Sequence, residues 1–254
     1  MSIIPKSHPR VKSLLIREKL VTGFDKGLVA KEGLLAQGRG EAFDYLLGEK
    51  TRKSAKMAIK AAAARIILAD NPVISVNGNV AALCPKEVVK FAKKTGSKIE
   101  VNLFYSNPKR KKSIEKVLHV NGAKEVLGIN LSSRTILSGI DSARRFVDKN
   151  GIFSADVVIV PLEDGDRTLA LRKAGKFVIT FDLNPLSRTA QTANITIVDN
   201  VIRSMDLLIE NCDKLSNKNK KTLQKIVKNF DNKKNLSNMI VEIKNNLSKR
   251  AQIA

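Results

Sequence analysis

The chain has 254 residues, 43% of them hydrophobic, with 46 Lys and Arg against 24 Asp and Glu for a formal net charge of +22. That size and apolar content support a folded unit with a buried core, and no apolar run reaches the roughly 18 residues a membrane-spanning helix needs. Cys84 and Cys212 are far apart without CxxC spacing, two histidines leave little for a His-based metal centre, and no cleavable leader is evident, so the chain reads as a cytoplasmic protein without a disulfide framework or thiolate zinc site.

Residues 10–21 and 28–37 carry apolar side chains at three- and four-residue spacing and are expected to form short helices broken at Gly23 and Gly27. The block Gly38-Arg39-Gly40 follows. Gly33 to Gly38 has the glycine spacing of a P-loop, but Arg39-Gly40 stands where Lys and Ser or Thr belong, and the third glycine of a dinucleotide fingerprint is missing. What survives is an arginine between two glycines, suited to fork onto phosphate or carboxylate where a ligand approaches the backbone; otherwise the block is the capped start of a helix, with Glu41 and Asp44 complementing its dipole. Residues 51–70 form a stronger helical pattern, Ala-rich at 61–64, with Thr51 as its expected cap.

From there, strand-length apolar runs appear in series at 73–76, 99–103, 125–127, 157–160, 177–181 and 195–198. Helical patterns at 86–94 and 109–121 connect some of them, the latter ending at Gly122. Strands alternating with helices predict an α/β fold: a Rossmann-like, mostly parallel sheet with helices on both faces, preceded by N-terminal helices over 1–70 and followed by a Lys/Asn-rich helical extension over 200–254. With no internal repeat and no long linker, the whole of 1–254 is treated as one domain.

In such sheets ligands bind beyond the carboxyl ends of the strands. Pro72 to Asn79 is a β-branched run ending in Asn-Gly-Asn, so Ser75, Asn77, Gly78 and Asn79 are candidates to hold a small polar molecule, with Asn102 at the end of the next strand. Glu163, Asp164 and Asp166 follow the strand at 157–160, where they either hold magnesium or start a helix. Asp182 stands at the end of the strand 177–181, placed to take a ribose hydroxyl or a magnesium-bound phosphate, and Asn184, Ser187, Arg188 and Thr189 continue a polar wall or a simple turn. Asp199-Asn200 repeats the arrangement one strand later, where Asn200 also suits a helix cap. His8 lacks the Ser or Cys partner a catalytic triad requires.

Together, the residues from Ile4 to Arg10, Ser13 to Val21, Gly38 to Glu49, Pro72 to Ala82, Ile99 to Tyr105 and Asp182 to Arg188 resemble the archaeal phosphopantothenate synthetases, the 4-phosphopantoate:β-alanine ligases, in order and spacing across about residues 3–210. The resemblance implies a homodimeric enzyme of coenzyme A biosynthesis that uses ATP and magnesium to join 4-phosphopantoate to β-alanine, releasing AMP and pyrophosphate. By analogy Arg17, Arg39, Asp182, Leu183, Asn184, Arg188, Thr189, Asn200 and Val201 contact ATP, with Arg39 and Asp182 as the catalytic pair. Arg17 comes from the resemblance alone, and Gln37 departs from the His expected in relatives. Magnesium ligands stay unassigned. The rivals are another nucleotide-dependent ligase or kinase of a small hydroxy acid, and a basic nucleic-acid-binding α/β protein; 4% aromatic content without Trp offers the latter no stacking platform, and the basic excess suits steering of anionic substrates.

Overall fold

A computed structural model describes residues 4–253. Three helices lead: α1 (Val11–Asp25), α2 (Lys31–Leu47) and α3 (Lys53–Ile67). The first two are longer than the sequence suggests. Gly23 lies inside α1, where any Cβ would come within 2.7 Å of the Ala82 side chain, so the glycine permits close packing rather than a break. Gly27, with φ of +68°, does end α1. Gly33, Gly38 and Gly40 are all interior to α2, which corrects the reading of residues 38–40 as a loop or a helix start: the arginine between the glycines is displayed from a helix, not from a glycine-rich turn. α3 starts at Lys53, so Arg52 rather than Thr51 holds the cap position and offers no capping side chain, and the Thr51 hydroxyl donates to Asp199 Oδ2 at 2.6 Å.

The core sheet comprises β1 (Pro72–Val76), β2 (Lys98–Val101), β5 (Val157–Pro161), β6 (Phe177–Phe181) and β7 (Ile195–Ile197), in the order β2-β1-β5-β6-β7 and parallel throughout. Helices α4 (Gly78–Leu83), α5 (Pro85–Thr95), α6 (Pro108–Val120), α7 (Gly165–Lys173) and α8 (Arg188–Thr192) fill the crossovers. Alternate residues feed two buried layers. Ile74, Val76, Ile159, Ile179 and Phe181 join the core built by α3, α5 and α9 (Val201–Leu215), while Val73, Val158, Val160 and Val178 face Ala170 and Leu171 of α7. Burial on both sides explains why these strands read as continuous apolar runs. The alanines of α3, Ala58 and Ala61 to Ala64 among them, are almost fully buried and let α9 approach closely.

Residues 125–127 form no strand; their only sheet-like pairing is a parallel bridge between Leu127 and Glu100. An antiparallel pair unforeseen in the sequence, β3 (Arg134–Ile136) with β4 (Phe146–Asp148), lies beyond it. Glu100, at the heart of β2, holds this region by accepting the backbone N–H groups of Asp148 at 3.1 Å and Ile152 at 2.6 Å. The chain closes with α10 (Lys220–Lys228) and α11 (Asn232–Ala251), separated at 229–231. Leu223 is buried in the main core with Ile226, Val227 and Phe230 beside it, and Leu236 and Met239 of α11 cover Leu47 of α2 and Leu183. Among the described residues no helix is long and apolar enough to cross a membrane.

Candidate active site

The strand order reverses direction of growth at β1, whose neighbours β2 and β5 are reached by separate crossovers, so a crevice opens beyond the carboxyl ends of β1 and β5. A cleft of about 700 Å³ lies there. Asn77 builds its floor. Its Oδ1 caps α4 by accepting the Val80 N–H at 3.1 Å, and its Nδ2 donates to the carbonyls of Pro161 and Leu162 at 3.0 and 3.1 Å. Leu162 turns the chain with a φ of +54°, a conformation that costs a leucine energy and directs the next side chain, Glu163, beneath the cleft. At Gly78 a Cβ would stand 2.2 Å from the Leu28 carbonyl, so only glycine allows α4 to meet the α1–α2 connection. Asn79 donates to the Gly33 carbonyl at 2.8 Å, tying α4 to α2.

The opposite wall follows β6. Asp182 Oδ1 accepts the Asn184 N–H at 2.9 Å and its Oδ2 accepts the Ser187 hydroxyl; Ser187 in turn caps α8. Burial raises the Asp182 carboxyl above its usual value, against the opposing pull of these hydrogen bonds and of the positive charge of Arg39. Arg39 of α2 and Asp182 after β6 line the same cleft. Leu183 lies 3.4 Å from where a Gly40 Cβ would be, so α2 packs directly on the Asp182 turn. Thr189 donates to the Glu163 carbonyl at 2.9 Å, and Arg188 pairs with Asp166 at 2.7 Å. Residues 163–166 do start a helix: Asp164 caps α7 through Oδ1, Asp166 is in its first turn, and Glu163 is buried between Arg144 and Arg167.

Among the residues named from the sequence, Arg39, Asn77, Gly78, Asn79, Asp182, Leu183, Asn184, Arg188 and Thr189 line this cleft. Others do not. Ser75 is buried in β1 and accepts from Arg167 at 3.1 Å; Asn102 is buried and donates to the carbonyls of Arg144 and Phe146 at 3.3 and 3.0 Å. Arg17 forms a bidentate pair with Glu41 at 2.8 and 2.9 Å, which raises its pKa, and lines a neighbouring hollow between α1 and α2 that adjoins the cleft at Gln37. Asn200 caps α9, immediately before the buried Val201, and donates to Asp44 at 3.3 Å. Arg203 then bridges Asp44 and Asp199, each at 2.6 Å, so the start of α9 is clamped to the helix that carries Arg39. The cleft also contains Phe104, Tyr105, Arg110 and Arg144, which the sequence reading passed over. For Arg110 a signal existed: Asn107-Pro108 just after a strand marks a helix start, and the third helical residue sits near the strand end.

Residues 54–246 match the family described as Phosphopantothenate/pantothenate synthetase. The chain belongs to this family. A 4-phosphopantoate–β-alanine ligase of Thermococcus kodakarensis is 51% identical over 250 residues, which cover 98% of this chain and 95% of that one. One of Methanosarcina mazei is 50% identical over 251 residues, covering 99% and 98%. One of Methanospirillum hungatei is 48% identical over 213 residues, or 84% and 86%. The family match extends through α10 and most of α11, the Lys/Asn-rich part that motif-level comparison left without a counterpart, and the packing of Leu223 and Leu236 gives that part a place in the core.

Proposed function

We propose that this protein is an ATP-dependent ligase that condenses 4-phosphopantoate with β-alanine to 4′-phosphopantothenate, releasing AMP and pyrophosphate, and that it works as a cytoplasmic homodimer. The observation that carries this reading is the cleft at the β1/β5 crevice lined by both Arg39 and Asp182, within a chain about half identical, over nearly its whole length, to relatives named for that reaction.

Among the described residues none lining the cleft is His, Cys or Lys, and the thiols of Cys84 and Cys212 are buried with pKa values pushed up to about 12. In this reading the nucleophiles are the substrates' own carboxylate and amine. The substrate carboxylate attacks the α-phosphorus of ATP, the bond to pyrophosphate breaks, and an acyl-adenylate forms; the deprotonated amine of β-alanine then attacks the acyl carbon and AMP leaves. The chain contributes alignment and compensating charge. Arg39 faces the phosphates, Asp182 with Asn184 and Leu183 holds the nucleoside side, Arg188 and Thr189 extend that wall, and Asn77 to Asn79 hold the acid. Ser75 and Asn102 support the acid site from below, while Arg17, Asn200 and Val201 flank the nucleotide site.

Among the described residues no group of three or more His, Cys, Asp or Glu is arranged to hold a metal. Magnesium commonly needs only one or two carboxylates beside phosphate oxygens and water, and Asp164 and Asp182 supply those at the cleft wall. Bound there with ATP, it would neutralise phosphate charge.

Purified protein supplied with ATP, magnesium, 4-phosphopantoate and β-alanine should release AMP and pyrophosphate in equal amounts, and condensation should stop when any substrate is omitted. ADP as the nucleotide product would overturn the reading.

A further inference from the structure

Four arginines line the cleft, and their pairing differs. Arg144 contacts Glu163 and lies 3.4 Å from Asp164, and Arg188 pairs with Asp166. Among the described residues, neither Arg39 nor Arg110 has a carboxylate within ion-pair distance. Arg39 is coupled to Asp182 at the nucleotide wall. Arg110 lies on α6 at the β1 side of the cleft, with the Glu32 carboxylate acting on it from beyond ion-pair distance, and two backbone carbonyls aim it: Nη1 donates to Tyr105 O at 2.7 Å and Nη2 to Leu28 O at 3.0 Å. Those bonds fix the guanidinium without neutralising it and leave further donors, including a buried Nε with no partner. The adjoining backbone is Gly78, where a Cβ would come within 2.9 Å of Arg110 Nη2.

The setting is unusual for a helix start. Lys109, Arg110, Lys111 and Lys112 occupy the first turns of α6 with no acidic residue there, so cations are stacked on the positive end of the helix dipole, an unfavourable placement unless an anion is to be held nearby. Resting on the ligase reading above, we propose that Arg110 recognises the 4-phosphate of the acid substrate and thereby selects phosphorylated pantoate over pantoate. The cleft's two unpaired arginines thus divide the work, Arg39 serving the nucleotide and Arg110 the phosphorylated end of the acid. A dianionic phosphate matches the concentrated positive charge at the start of α6 better than the single carboxylate of β-alanine.

The test measures KM and kcat for ATP, β-alanine, 4-phosphopantoate and pantoate in wild type, Arg110→Gln and Arg110→Lys. The expected result is a rise of about tenfold or more in KM for 4-phosphopantoate in Arg110→Gln, a smaller rise in Arg110→Lys, KM for ATP and β-alanine within about twofold, and a lower preference for the phosphorylated acid. Unchanged KM for 4-phosphopantoate, or a rise confined to ATP or β-alanine, overturns the proposal. Wild type that makes no pyrophosphate with 4-phosphopantoate defeats the ligase reading instead, which separates the two failures. If neither Arg110 variant gives the wild-type circular dichroism, the exposed Lys109→Glu reverses one charge of the same helix start. It should raise KM for 4-phosphopantoate about threefold at low salt and much less at high salt; no change at low salt counts against the proposal.

Discussion

Asn77 donates its side-chain amide to the carbonyl of Leu162 at 3.1 Å, joining the ends of the two strands between which the cleft opens. The same side chain caps α4 and reaches Pro161. Replacement by alanine removes a cap and leaves two partly buried carbonyls without their donor, a loss of about 2–4 kcal/mol in denaturant unfolding. Asn77→Asp preserves the capping oxygen but sets a carboxylate against those carbonyls, so it should be no better than alanine. Equal stability of wild type and Asn77→Ala would show that the strap carries no weight.

Arg39 is exposed on α2 and makes no ion pair among the described residues, so Arg39→Ala should leave the melting temperature within a few degrees of wild type. Condensation activity should nevertheless fall about 10²-fold or more if its charge is directed at the transferring phosphate. Pre-steady-state pyrophosphate release separates that loss from an effect on later steps. A variant that unfolds, or one that keeps full activity, contradicts this assignment.

Asp44 is buried on α2 and receives both Arg203, at 3.0 and 2.6 Å, and Asn200, at 3.3 Å. Asp44→Ala leaves Arg203 with Asp199 as its remaining carboxylate and removes the acceptor of Asn200, and should cost about 1–3 kcal/mol. Because the clamp fixes the start of α9 against the Arg39 helix, KM for ATP should rise severalfold while that for β-alanine holds. An unaltered KM for ATP would reduce the clamp to a purely stabilising role.

Glu100 is fully buried in β2, and burial raises its carboxyl to about 7, against the two backbone N–H groups it accepts and the charge of Arg167. Unfolded, the group titrates near 4.5. Between those values the native state binds more protons than the unfolded chain, so the contribution of Glu100 is greatest below about pH 4.5 and is lost as pH rises toward 7. Glu100→Gln cannot titrate. The stability of wild type relative to this variant should therefore shrink, by on the order of 2 kcal/mol, from pH 5 to pH 8 in urea unfolding. A constant difference would mean that the carboxylate is already ionised at pH 5.

Much of the fold was legible because burial on both sheet faces writes itself as apolar runs: the strand at Phe177–Phe181 agrees residue for residue, and 73–76 and 157–160 differ from β1 and β5 by one residue each. Glycine misled at α1 and α2. Read locally, Gly23, Gly38 and Gly40 look like helix breaks, yet Gly23 makes room for Ala82 and Gly40 faces Leu183, contacts made by residues distant in the chain. The β3–β4 pair was invisible for the opposite reason, since three-residue strands with exposed positions carry little periodicity and depend on Glu100 for support.

For the site, the residue types at the strand ends were enough to nominate Arg39, Asn77, Asp182 and Arg188, because side-chain chemistry and proximity to a strand's carboxyl end are local properties. Which of them share a wall was a matter for the tertiary structure. Ser75 turned inward to Arg167, Asn102 to the carbonyls of Arg144 and Phe146, and Arg110 entered the cleft from the helix that follows β2. Sequence by itself determined the parallel α/β class and the donors available to a ligand; strand order and helix packing decided which donors face one another, because an ion pair or a free guanidinium is defined by neighbours that chain spacing does not encode.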